Sequence, residues 1–291
     1  MIFRLPLGPM KTLKKIAKWV GIVGLVIVGV VSIFYFIYVR PVLNKIEASR
    51  VVDYDQNLVI FEGGGGNSGI LKSDSLVIVV DTKMGDGADA LAARVREIAG
   101  NKPVLVVNTH YHIDHTSGNR MFAGQSILAG GGYTPEIWNQ EAKEADMPTQ
   151  WLADRMDIKM DDDTVTILTL NIKAHTVGDV FLYSHKRKML FGGDVILNGQ
   201  VPSVANGDPE GYLKAFDMLQ QQFDIQKIVP GHGPTGGIEI LDTFRQYFND
   251  MKIAANDDSK HDELVDKYKD WTQVPMMMSS GNVIDKFRKG K

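Results

Sequence analysis

The chain has 291 residues, of which 44% are hydrophobic and 23% charged, and none is cysteine. That balance excludes a disordered or low-complexity chain. The missing thiol excludes disulfide staples, Cys-ligated zinc, iron–sulfur clusters and thiolate catalysis. The net charge of −3 is unevenly spread: residues 1–50 hold eight Lys/Arg and one acid, Glu47, so residues 51–291 carry a net of −10. An acidic body without a Lys/Arg cluster to build a groove argues against a nucleic-acid partner.

The first element is membrane-like. Residues 1–18 carry five Lys/Arg and no acid, and Trp19–Val39 is a run of 21 residues without a charge. A helix rising 1.5 Å per residue crosses the ~30 Å bilayer core in about 20 residues. Trp19 at one end, and Phe34, Tyr35, Phe36 and Tyr38 at the other, suit the headgroup zones. A cleaved signal peptide has a shorter apolar region and a small-x-small site. Here the nearest candidate, Ile46-Glu47-Ala48, starts with a bulky residue. The reading is therefore a retained anchor over 19–39, with a basic cytoplasmic N-terminus over 1–18 and a stalk over 40–50. The body is then expected on the outer side, periplasmic or extracellular. Gly21, Gly24 and Gly29 lack the four-residue spacing of a dimerising face, so no oligomer is read from them.

Short apolar runs follow, separated by turn signals. Leu58–Phe61 precedes four glycines, Gly63 to Gly66. Ser75–Val80 is nearly continuous and β-branched, as in a strand buried on both faces. Gly85–Gly100 has helical spacing, and Val104–Val107 reads as a strand. Thr134-Pro135 predicts a helix start, with the helix running to about Glu144. Strands are read at Val165–Leu170, Val180–Ser184, Lys188–Phe191 and Ile228-Val229. Asp208-Pro209 predicts another helix, to about Phe223, and 237–270 reads as a charged helical tail. Strands mixed with helices indicate an α/β layered fold. The body divides into a main domain over 51–250 and a charged helical extension over 251–291.

The chemistry lies in the histidines. Three of seven fall within six residues, in Thr109-His110-Tyr111-His112-Ile113-Asp114-His115. Residues two apart in a helix point to different faces, so His110 and His112 converge on one ion only from a loop or strand end. The next turn carries Asp114 and His115 toward a second ion. His175, Asp194 and His232 each follow an apolar run, as the first cluster does. Five imidazoles and two carboxylates delivered by strand ends form a metal-ligand set without thiols. His185 and His261, in polar surroundings, read as solvated surface residues. Asp53, Asp55 and Asp161–Asp163 read as loop solvation. Gly130–Tyr133, Trp138, Trp151 and Met156 form an apolar insert that can serve as a pocket wall or as core.

The stretch THYHIDH resembles the HxHxDH signature of the metallo-β-lactamase superfamily. The later His, Asp and His arrive in that family's order, and Val79-Val80-Asp81-Thr82 is similar to its first motif. The resemblance covers roughly 55–240 and implies an α/β, four-layer αββα sandwich with metals at one sheet edge. It implies two divalent ions, with zinc first and iron or manganese as substitutes. His110, His112 and His175 would hold one, Asp114, His115 and His232 the other, and Asp194 would bridge them. Asp81 and Thr176 would orient the ligands from behind. The implied activity is hydrolysis of a small ester, thioester, lactone or related molecule by metal-bound hydroxide, with Asp114 moving the proton. Asp194 departs from β-lactamases with a His and Asp site, and Val195–Pro202 lacks the Tyr of lactone hydrolases. LNGQVP and VPGHGP are more similar to hydrolase-like proteins associated with sulfur oxidation and quinoprotein systems. The alternatives are a persulfide dioxygenase with a single iron, or a β-lactamase.

Overall fold

The computed structural model describes residues 10–40, 49–140, 146–274 and 278–290. The chain forms two compact units, Met1–Asn44 and Lys45–Lys291. The first contains helix α1 (Met10–Phe34), continued by a π-helical turn over Tyr35–Val39. The helix begins nine residues before the expected Trp19, because Lys and Ala in the basic stretch are good helix formers. Ile16–Ile37, 22 residues long, is apolar enough to cross a bilayer and buries nothing within the protein. Most of the expected stalk, 41–48, lies outside the described residues.

The second unit is a sandwich of two sheets. The first sheet has seven strands in chain order: β1 (Arg50–Asp55), β2 (Leu58–Glu62), β3 (Ser68–Lys72), β4 (Val77–Val80), β5 (Val104–Val107), β6 (Ser126–Gly130) and β7 (Gln150–Leu152). The second holds β8 (Arg155–Met160), β9 (Asp163–Thr169), β10 (Val180–Ser184), β11 (Met189–Phe191), β12 (Lys227–Val229) and β13 (Gly236–Gly237), again in order. Alternation sorts the side chains. Ile78 and Val80 of β4 face the inter-sheet core with Val165, Ile167, Leu182 and Phe191. Val77 and Val79 face outward onto helix α2 (Gly85–Ala99), against Leu91, Ala92 and Val95. A strand covered on both faces has no polar alternation, which is why Ser75–Val80 reads as continuous. Gly69 lets the sheets approach, since a Cβ there would lie 2.4 Å from the Phe191 ring.

Two short helices, α3 (Ile113–Thr116) and α4 (Pro135–Trp138), lie on connections of the first sheet. The outer face of the second sheet is covered by α5 (Pro209–Gln222), α6 (Glu239–Asn256) and, beyond a short α7 (His261–Asp266), α8 (Ser280–Lys289). The result is the αββα sandwich.

Three sequence expectations change. Thr134 does cap its helix, accepting from the Ile137 amide, but among the described residues that helix ends at Trp138. Residues 141–145, its expected continuation, lie outside the description. The border between 250 and 251 falls inside α6, and Met251, Ala254, Tyr268, Val283, Ile284 and Phe287 share one core with the second sheet. The tail looks polar because most of its charges lie on the outer face, while Phe244, Phe248 and Met251, at helical spacing, point inward and the buried Asp250 is satisfied by Lys267 and Tyr268. Each of those buried apolar side chains contributes roughly 1.5–3 kcal/mol. Finally, Asp163 is buried, accepting from Ser184 Oγ and the Lys186 amide, and Asp55 pairs with Arg187 at 2.8 Å. Both are structural acids that tie β-hairpin turns together.

Candidate metal centre

Every expected ligand comes from a connection following a strand. β5 delivers His110, His112, Asp114 and His115, the last two on α3. β9 is followed by His175, β11 by Asp194 and β12 by His232. The seven meet as two groups, His110/His112/His175/Asp194 and Asp114/His115/His232, with the facing donor atoms of each group within 4.8 Å of one another.

In the first group His175 Nε2 lies 2.9 Å from His112 Nδ1 and 3.6 Å from Asp194 Oδ2, which is 4.0 Å from His110 Nε2. In the second, His232 Nε2 is 3.1 Å from Asp114 Oδ2 and 3.4 Å from His115 Nε2. Asp194 faces both groups. Its Oδ1 is 3.2 Å from His115 Nε2 and 3.5 Å from His232 Nε2, while Oδ2 turns to the first group. Bonds of about 2.0–2.1 Å to one tetrahedral ion place neighbouring donors about 3.3 Å apart. His110 Nε2 is buried and has no hydrogen-bond partner. A buried donor atom left unpaired calls for a partner, and here the missing partner is a cation. The donor set therefore fits divalent metal.

The surrounding bonds set the tautomers. Asp81 accepts from the Thr109 amide and Thr109 Oγ1, both at 2.7 Å, and lies 2.7 Å from His115 Nδ1. Thr109 Oγ1, its proton committed to Asp81, receives the His110 Nδ1 proton at 3.1 Å. His175 Nδ1 meets the Tyr212 hydroxyl at 2.9 Å. In all three rings Nε2 is left to face the cluster, which is how outer partners aim metal ligands. Asp81 thus hydrogen-bonds one ligand ring directly and the residue before another. Thr176 touches none of the seven side chains. It hydrogen-bonds Asp179, which accepts the His175 amide at 2.9 Å, so it acts on the loop backbone.

The electrostatics divide the groups. Burial, helped by His115 and His175, holds His110 well below its ordinary pKa. Burial likewise pushes His175 down to about 3, against the pull of Asp194. Burial also opposes the charge on His232 and His115, but the carboxylates win. Asp194 and Asp114 raise His232 to about 9, and Asp114, Asp194 and Asp81 hold His115 well above the usual range. Burial alone would raise Asp114; the charges of His115 and His232 hold it below the carboxylate range.

Glycines frame the second group. A Cβ on Gly66 would lie 2.2 Å from the His115 ring, and one on Gly231 would lie 2.0 Å from Asp194 Oδ1. Gly66→Ala should therefore displace His115 and weaken binding in the second group by at least tenfold while sparing the first, as checked by metal titration. Asn67 joins this loop to the His232 loop, donating to the carbonyls of Pro230 (2.9 Å) and Gly233 (2.7 Å). Lys83 is fully buried behind the same loop, its Nζ donating to the carbonyls of Gly63 (2.5 Å) and Gly66 (2.6 Å). Burial pulls its pKa down to about 8.

Sequence reading missed Thr109, Asp179, Tyr212, Asn67 and Lys83. Only the four-glycine run hinted at close packing here. The apolar insert resolves mostly as core: Tyr133 and Trp138 are buried against Tyr111 and Ala129, behind the ligand loop. Trp138 is fully enclosed and walls no pocket. His185 and His261 belong to neither ligand group.

Comparison with known proteins agrees with this architecture. The family model described as metallo-beta-lactamase superfamily matches residues 61–232. The human acyl-coenzyme A thioesterase MBLAC2 is 24% identical over 216 residues, covering 62% of this chain and 77% of that protein. A hydroxyacylglutathione hydrolase from a Synechococcus species is 22% identical over 195 residues, covering 67% and 69%. The structure of a metallo-beta-lactamase from Pontibacter korlensis superposes with a TM-score of 0.61 at 18% identity, over 69% of this chain and 99% of that one. The matched span holds all seven converging side chains and more than half of the chain, and the chain belongs to the metallo-beta-lactamase superfamily, as one of its hydrolases.

Proposed function

We propose that the protein hydrolyses a small thioester or ester at a centre of two divalent cations, zinc foremost, and that α1 anchors it in a membrane with the N-terminus cytoplasmic and the sandwich outside. One observation carries the catalytic part: Asp194 presents one oxygen to each of two complete ligand groups. His110, His112, His175 and Asp194 would hold one cation, and Asp114, His115, His232 and Asp194 the other. Such cations supply acidity that makes hydroxide from water near neutral pH, and positive charge beside a developing oxyanion. A thioester leads the choice because two relatives are named for acting on thioesters. The anchor rests on the 22 apolar residues of Ile16–Ile37 and on five basic residues ahead of Trp19.

The chain's own residues have definite tasks. Asp81, Thr109 and Tyr212 keep the ligand rings aimed. The buried walls exclude bulk water, which strengthens every charge interaction inside. Asp114 is the most accessible carboxylate of the cluster, with its side chain 26% exposed. With Oδ2 turned to His232 and His115, its other oxygen is left to take the proton of the attacking water and return it to the leaving sulfur or oxygen. In the balance, a C–O bond forms from water, the C–S or C–O bond of the substrate breaks, and the products are a carboxylate, a thiol or alcohol, and one proton released to solvent.

The test uses the full-length protein in detergent. We expect about two metal ions per chain, loss of activity on chelation, recovery with Zn or Mn, and turnover within an ester, thioester and lactone panel. One iron per chain with oxygen consumption would establish the dioxygenase instead. Turnover restricted to β-lactams would establish a β-lactamase.

A further inference from the structure

A cleft of about 370 Å3 opens beside His232, lined by Asn198, Gln200, Asp270 and Thr272, with glycines and a proline making up the rest. It holds no Lys or Arg. Lys83 lies behind its glycine wall, but its ammonium is buried on the Gly63 and Gly66 carbonyls and cannot reach a ligand. Asp270 is exposed and makes no ion pair or side-chain hydrogen bond among the described residues. The neighbouring Lys269 is paired with Asp266 at 3.1 Å and interacts with Asp270 only through its charge, more weakly.

The chain next to Asp270 is anchored. The Thr272 amide donates to the Gly199 carbonyl at 2.9 Å, and the Val201 amide donates to the Thr272 carbonyl at 3.0 Å. Between them, Trp271 stacks on Tyr247 with ring centroids 5.1 Å apart, fastening the segment to the core. The tail therefore brings an exposed carboxylate, on a stretch of chain anchored at Trp271 and Thr272, to a cleft that begins at a metal-group histidine. The cleft also lies on the side of the proton donor: Gly65, one of its walls, packs on the Asp114 backbone, and Asp114 Oδ2 is 3.1 Å from His232 Nε2.

We propose that this cleft receives the leaving group of the substrate and selects an ammonium-bearing one over an anionic one, with Asp270 as the specificity-determining residue. The inference rests on the hydrolase reading above and sharpens it. The thiol or alcohol protonated at Asp114 departs into the cleft, where a cationic substituent meets Asp270 and a carboxylate or phosphate is repelled.

Three thioesters of similar size test this on the full-length holoenzyme: acetylthiocholine (cationic), S-propyl thioacetate (neutral) and S-acetyl-3-mercaptopropionate (anionic). An exposed carboxylate acting on one charge changes kcat/KM about fivefold, mostly through KM. The expected order is cation, neutral, anion, with a cation-to-anion ratio of about tenfold or more that shrinks in 0.5 M salt. Asp270→Asn should cut that ratio about tenfold or more, to near parity, and Asp270→Lys should reverse the order. A wild-type preference for the anion, or a ratio that neither variant changes, overturns the proposal while leaving the hydrolase reading intact. A metal-loaded protein that turns over no ester or thioester overturns both.

Discussion

Asp194→Ala is expected to cut metal content from about two ions per chain to below one and to lower turnover by about 10^3-fold or more, with the fold retained. The size of the effect follows from the position of one side chain. Asp194 Oδ1 serves His115 and His232 at 3.2 and 3.5 Å, and Oδ2 serves His175 and His110 at 3.6 and 4.0 Å. Removing it takes a ligand from each group at once. It also removes negative charge that holds His115 and His232 above their ordinary pKa, so neither cation keeps its full compensation. His112→Ala, by contrast, removes a ligand from the first group alone. Elemental analysis and steady-state kinetics read both effects, and circular dichroism reads the fold. Wild-type turnover by an Asp194→Ala protein with two bound ions would refute the shared-ligand arrangement.

The two groups are expected to load metal with different pH dependence. A metal needs the bare imidazole nitrogen, so protons bound there must leave. His110 and His175 are held well below neutrality and carry no proton near pH 7. These two ligands therefore have no proton to lose when the first group takes up metal. His232 titrates at about 9 and His115 well above its usual range, so both are protonated at pH 7 without metal. Binding in the second group must then expel one to two protons, and its affinity should rise about 10- to 100-fold per pH unit between 7 and 9. Lowering the pH should strip the second group first. Calorimetry in buffers of different ionisation enthalpy counts the released protons. Two sites with equal, pH-independent affinity would contradict the charge arrangement.

Parts of the centre are legible because their causes are local. His110, His112, Asp114 and His115 share one short connection after an apolar strand, and the other three ligands repeat that placement. The residues that aim them depend on distant partners. Tyr212 reaches His175 across 37 residues, and Asn67 reaches the Gly233 carbonyl across 166. Nothing in the neighbourhood of Tyr212 distinguishes it from other aromatic residues on the inner face of α5. Strands β1 and β8 were missed for a related reason. Their charged residues fit exposed strand faces at the sheet ends, where the pairing partner rather than residue preference selects the extended backbone.

The sequence by itself determined the kinds of donor atom, their order along the chain, the apolar helix ahead of the sandwich and the layered class of the body. These follow from residue type, spacing and periodicity, which act within a few residues. Only the tertiary structure decided the distances at which Asp194 faces the other six donors, that Lys83 supports the glycine loop from behind, and that the tail is core and brings Asp270 to the cleft. Those arrangements exist only once two sheets bury their shared apolar faces, because that burial, rather than any local preference, brings connections far apart in the chain to one edge.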